Sequence, residues 1–303
     1  MPRFTRYPIP HILGKISYPA GTRLRPDGDT VHLINPVLVI DGKAERPKDG
    51  KFVVWVTGST KPKIIHVNGT GDRTYVPVRF EGIDAPEEHY RATAFKIKVR
   101  GREQSFALDP TAPHDERSQP LWSPATKYAV GILEAAGWGL AALDPEVTDR
   151  YGRVLGYVYA SDSHARRKTF VSLELVKRGL AFPFLFESAG DRIPIFLAAT
   201  RKAKAQKLGI WKHYQHRALP FSSTFSAPPT FRDVEPNAQQ KARLSLPMAF
   251  RRTVDAHQLK GLSLKFALQK YDAMRFSTGD VLTGDQYSKI PIDDLIWAPH
   301  TFR

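Results

Sequence analysis

The chain of 303 residues has no cysteine. Disulfides, thiolate nucleophiles and cysteine-based zinc sites are therefore excluded from any account of how it folds or works. No stretch approaches the ~18 apolar residues that a membrane-spanning helix needs. The first ten residues carry charge and proline where a secretory signal would have an uninterrupted apolar run. These absences lead us to expect a soluble, cytoplasmic protein with no membrane partner, although a signal removed beforehand would leave the same sequence. Acidic residues are in the minority: 30 Asp and Glu stand against 45 Lys and Arg, giving a formal charge of +15. Such an excess draws a chain toward polyanions such as nucleic acid, but it serves solubility equally well. The histidines do not fill the gap left by cysteine, because His89, His213 and His216 find no further partner at ligand spacing.

What is present is a foldable chain. At 42% apolar residues it can bury a substantial core, and its length admits two domains. The first half reads as β-rich. Residues 28 to 33, 51 to 56 and 75 to 80 are short runs of β-branched and aromatic residues separated by Gly, Pro and Asp, and residues 154 to 160 form another after the turn signal Asp149-Arg150-Tyr151-Gly152. Three helices are expected in the middle: one opened by Ser123-Pro124 and stopped at Gly137, one from about Phe170 to Gly179, and one from about Pro194 to Gly209. Residues 219–235, rich in Pro, Ser and Thr, read as a linker. Beyond it lies a C-terminal extension, 236–303, in which residues 237 to 246 and 262 to 274 look helical and the end looks irregular with a short strand. From Ser222 onward there are 11 basic and 8 acidic residues, so most of the charge excess belongs to the first part.

Hydrolysing a phosphodiester requires a water placed in line with the leaving oxygen and cations to neutralise the charge that builds on phosphorus. A hard metal ion needs several oxygen ligands, and carboxylates from separate segments can supply them. Asp29 and Asp84 are candidates. The segment Arg79-Phe80-Glu81-Gly82-Ile83-Asp84-Ala85-Pro86-Glu87 sets a guanidinium and two carboxylates at a strand end and in the turn after it. Arg79 and Asp84 would face opposite ways on a regular strand, so a bend at Gly82 is expected. Taken singly, Asp29 is as well explained as a turn aspartate, Glu87 as a helix-start carboxylate and Arg153 as half of a surface ion pair.

Taken in order, the segments resemble the staphylococcal nuclease family. Gly28-Asp29-Thr30-Val31, Arg79 to Glu87 and Asp149-Arg150-Tyr151-Gly152-Arg153 carry the likeness, with Leu175 to Ala181 and Ala203 to Trp211 resembling the family's last two helices. The resemblance spans roughly residues 12 to 213. It implies an α+β fold, a five-stranded OB-type barrel with three helices, within a nuclease domain at 1–218. It also implies a calcium-dependent nuclease acting on DNA and/or RNA, endonucleolytic and tolerant of sequence. Asp29, Asp84 and the Ala85 carbonyl would be metal ligands. Glu87 would serve as general base or would orient the attacking water, Arg79 and Arg153 would hold the phosphate, and Arg150 and Tyr151 would touch the substrate backbone. The alternative is a non-catalytic OB module that binds nucleic acid, with the C-terminal region docking a protein partner.

Two stretches exceed the family pattern. Residues 35–75 look like an insertion, with a β-hairpin expected from the Val37 to Ile40 and Lys51 to Val56 runs, and residues 88–121 look like a second, containing Arg91, Lys96, Lys98, Arg100 and Arg102. They could guide the substrate strand or merely decorate the barrel.

Overall fold

The computed structural model describes residues 9–17, 26–56, 59–87, 90–99, 102–112, 121–149, 151–186, 192–213, 247–262 and 296–297. The chain divides into two compact units, one of residues 1–83 and 124–177 and the other of residues 84–123 and 178–303.

The first unit holds the barrel. Strands β1 (His11–Lys15), β2 (Thr30–Ile40), β6 (Tyr75–Phe80), β10 (Trp138–Thr148) and β11 (Val154–Ser161) form a closed ring. In it β1 pairs with β2 and β10, β10 with β11, β11 with β6, and β6 with β2. The β6–β11 pairing is parallel and the others are antiparallel. This is the expected five-stranded α+β barrel of OB type, and closure leaves none of its five strands as a bare edge. Strict alternation along β6 turns Val76, Val78 and Phe80 inward to meet Val31 and Leu33 of β2, and all five are buried. Fully burying a side chain of this kind stabilises by about 1.5–3 kcal/mol.

Two barrel strands were not evident in the sequence. The β10 segment Gly139-Leu140-Ala141-Ala142 is short of the β-branched residues that mark a strand. The barrel interior favours small residues there. At Gly14 of β1, an added Cβ would stand 2.6 Å from the Leu33 Cβ and 3.0 Å from its backbone, so nothing larger than glycine fits without a shift. The helices α1 (Trp122–Ala136) and α2 (Val171–Lys177) lie where the sequence placed them, each stopped by a glycine at positive φ.

The expected hairpin between residues 37–40 and 51–56 does not form. Val37, Leu38 and Val39 continue β2 and pair with β1, and the strand then reverses through Asp41-Gly42 into β3 (Lys43–Glu45). Both turn residues have positive φ, 49° and 75°, the geometry that favours Asp-Gly in two-residue hairpin turns. The 51–54 run is β4 (Lys51–Val54), which pairs instead with β5 (Lys63–His66). The Asp-Gly pair was the cue, and it closes a hairpin shorter than the one expected.

Strand β7 (Gly82–Asp84) follows β6 after a bend at Glu81 and Gly82, where Gly82 has φ 85°. The anticipated break in the strand is present. In the second unit, residues 88–121 contain an unanticipated hairpin of β8 (Phe95–Val99) and β9 (Arg102–Phe106). The two-residue β12 (Thr169–Phe170) pairs with β11 in the first unit. Helix α3 (Ile193–Ala205) lies where the third helix was expected and is followed by the short α4 (Ile210–His213), whereas strand β13 (Phe182–Phe186) was not anticipated.

A further helix, α5 (Pro247–Gln258), packs on the segment that holds the β8–β9 hairpin: just after it, Leu259 and Leu262 join Ala92 and Phe106 in one apolar cluster. The strand anticipated near the C-terminus is β14 (Ile296–Trp297), parallel to β13. The linker at 219–235, the helix anticipated at 237–246 and all but the first residue of the one anticipated at 262–274 lie outside the described residues.

Candidate active site

On the barrel, β2 and β6 run side by side with Thr30 opposite Arg79. That register sets the Arg79 guanidinium against the Asp29 carboxylate, and the two form an ion pair in which both side chains are largely buried. Three hydrogen bonds fix the aspartate: its N–H donates to Asp27 Oδ1 at 3.0 Å, its Oδ1 accepts from Thr30 Oγ1 at 3.2 Å, and its carbonyl accepts from the Phe80 N–H at 2.7 Å. A carboxylate as buried as this one is stabilised only when paired and hydrogen-bonded.

Arg153 reaches the same neighbourhood from the turn before β11. Its Nη1 donates to Thr30 Oγ1 at 3.1 Å, so one threonine hydroxyl links the second guanidinium to Asp29. Asp149 builds the turn: its Oδ1 accepts from the Tyr151 and Arg153 N–H groups at 2.8 and 2.9 Å, and its Oδ2 accepts from Arg153 Nε at 2.8 Å. The ion pair and the threonine contact thus hold Arg153 by its Nε and its Nη1. Tyr151 is 62% exposed, with the Arg153 guanidinium 5.6 Å from its ring centre. Asp29, Arg79, Arg153 and Tyr151 are thus brought together in the first unit. Arg150 lies outside the described residues.

Asp84, Ala85 and Glu87 belong to the second unit. Asp84 and Ala85 are buried. Both Asp84 oxygens and the Glu87 carboxylate accept hydrogen bonds from Arg251 of α5. This arginine was missed by the sequence reading: it lies beyond residue 213, and one more arginine in a chain of charge +15 carries no signal.

Hard cations take carboxylate and carbonyl oxygens, the donor types found at Asp84 and Ala85 in the second unit. Among the described residues no group of three or more His, Asp or Glu side chains could hold a metal ion by itself. A cation here would complete its shell with water or substrate oxygens, as hard cations commonly do. Nor is any described helix long and apolar enough to cross a membrane.

Residues 77–213 match the family model described as staphylococcal nuclease homologue. That span includes Arg79, Asp84, Ala85, Glu87, Tyr151 and Arg153, while Asp29 and Arg251 fall outside it. Over 187 residues the chain is 26% identical to endonuclease YhcR of Bacillus subtilis (strain 168), an alignment covering 61% of this chain and 11% of that protein. The chain thus spans only a small part of the relative's length.

Proposed function

We propose, from the premise that the chain carries a domain of the staphylococcal nuclease family, that it is a calcium-dependent nuclease hydrolysing phosphodiester bonds of DNA and/or RNA, endonucleolytic and with little sequence specificity. The observation that carries this reading is the pair of guanidiniums, Arg79 and Arg153, fixed around Asp29 and Thr30 on the barrel. Two guanidiniums held in one neighbourhood are what a phosphate with accumulating negative charge requires.

In this reading water attacks phosphorus, the bond to the leaving oxygen breaks, and the water's proton is taken up by Glu87 or passed on under its orientation. Arg79 and Arg153 hold the non-bridging oxygens, and Arg153 also assists the departing oxygen. Arg150 and Tyr151 contact the adjoining backbone. The family pattern assigns metal ligation to Asp29, Asp84 and the Ala85 carbonyl, where calcium would supply Lewis-acid stabilisation of the phosphoryl charge.

The test compares wild type with Glu87→Gln on single- and double-stranded DNA and RNA, in calcium, magnesium or chelator. Calcium-supported cleavage that falls by about 10²-fold or more in the variant is expected, the range over which a positioned acid or base acts. Tight nucleic-acid binding without turnover in any wild-type reaction would establish the binding module instead.

A further inference from the structure

Helix α5 is held in place independently of any charge on Arg251. Tyr90 Oη donates to Asp255 Oδ1 at 2.9 Å, the Ala92 N–H donates to Gln258 Oε1 at 2.9 Å, and the Asp109 N–H donates to the Gln258 carbonyl at 2.8 Å. The Lys260 N–H donates to the Ala107 carbonyl at 2.9 Å, and Leu259 and Leu262 are sealed against Ala92 and Phe106. One turn before Asp255, the Arg251 guanidinium meets both acids of the 84–87 segment. Its Nη2 stands 3.2 Å from Asp84 Oδ2 and 3.4 Å from Oδ1, and its Nη1 stands 3.3 Å from Asp84 Oδ1 while also donating to Glu87 Oε1.

We propose that Arg251 is a tethered cation that competes with the metal ion for the Asp84–Glu87 carboxylates, so that the C-terminal helix sets the metal affinity of the nuclease. The inference rests on the reading of Asp84 as a metal ligand. A hard cation such as calcium needs carboxylate oxygens at about 2.3–2.6 Å. Here both Asp84 oxygens already accept from a guanidinium, and a divalent ion on the same oxygens would lie within a few ångströms of that positive charge. Like charges so close repel even when screened as at a protein surface.

Metal and Arg251 are therefore antagonists. In the metal-free chain, Arg251 offsets the burial of Asp84, whose side chain is only 4% exposed. Because the anchors at Tyr90, Ala92, Ala107 and Asp109 tether the helix, the guanidinium stays at high effective concentration beside the acids. By linkage, whatever factor Arg251 takes from metal binding, metal takes from the Arg251 contact.

Calcium affinity, measured by titration calorimetry on the full chain, tests this without reference to activity. Arg251→Ala is expected to bind calcium about tenfold more tightly, within the usual range of such couplings, with Arg251→Lys nearer to wild type because it keeps the charge. Asp84→Asn should abolish binding in either background. Equal or weaker affinity in Arg251→Ala, with Asp84→Asn still abolishing binding, would overturn the competition and leave the ligand reading standing. Binding that survives Asp84→Asn, or no calcium binding in any variant, would overturn the ligand reading and the inference with it. Should Arg251→Ala fail to fold, Arg251→Gln, which keeps the length and hydrogen bonding of the side chain but not its charge, takes its place: tighter calcium binding supports the competition, and equal or weaker binding overturns it.

Discussion

His11 stands at the start of β1, where burial first and the Arg167 guanidinium second lower its pKa to about 4, against a smaller raising contribution from a hydrogen bond with the Ile9 backbone. Arg167 Nη2 lies 2.5 Å from His11 Nε2, a contact that requires an unprotonated ring nitrogen. Burial also lowers the pKa of His32 on β2. A histidine whose folded pKa lies below its unfolded value of 6.5 takes up its proton first in the unfolded chain. Stability is therefore intact above that value and declines as pH falls toward 4, although partial exposure of the ring softens the effect. The melting temperature should drop between pH 7.5 and pH 5, and His11→Gln should make the drop smaller. Equal slopes for variant and wild type would show that His11 titrates as a free histidine. At this scale the sequence offered Asp29, Arg79, Asp84, Glu87 and Arg153 as candidates because their resemblance to a family pattern made five ordinary residues jointly improbable. It had no means of naming Arg251, or the Thr30 hydroxyl that joins Arg153 to Asp29, since both act through contacts between distant parts of the chain.

Elements were legible where hydrophobic period and punctuation agreed. Strand β6 shows both the alternation and the flanking turn residues, and α1 has Pro124 near its start and Gly137 at its end. Where the two disagreed, the reading failed. Helix α5 turns Arg251, Val254, Asp255 and Gln258 inward, and with three polar residues on its docking face its apolar period is hidden. Strand β10 is unreadable for a different reason, being built of small residues that the crowded barrel interior selects over β-branched ones. That crowding can be measured. Gly14→Ala puts a methyl 2.6 Å from the Leu33 Cβ and 3.0 Å from backbone atoms that cannot rotate aside. Overpacking of this kind costs about 1–3 kcal/mol, so the urea midpoint should fall with an unchanged slope. An unaltered midpoint would mean that β1 and β2 can separate without loss.

At the scale of the whole molecule, the packing of α5 on residues 90–108 joins residues far apart in the sequence, on either side of the barrel's last strands. Deleting residues 222–303 removes α5 and β14 but none of the five barrel strands, and the barrel's buried residues come from the first unit. The truncated chain should therefore keep a cooperative barrel transition. The second unit should respond differently. Phe106 and Ala92 lose the Leu259 and Leu262 side chains that cover them, and the Ala92 and Asp109 N–H groups lose their acceptors on Gln258. Amide exchange should quicken across residues 90–108 while remaining slow in β2, β6 and β11, and binding of an apolar dye should rise. Loss of the barrel transition itself would show that the C-terminal part is built into the barrel's stability, whereas slow exchange retained at 90–108 would show that the β8–β9 hairpin stands without the helix.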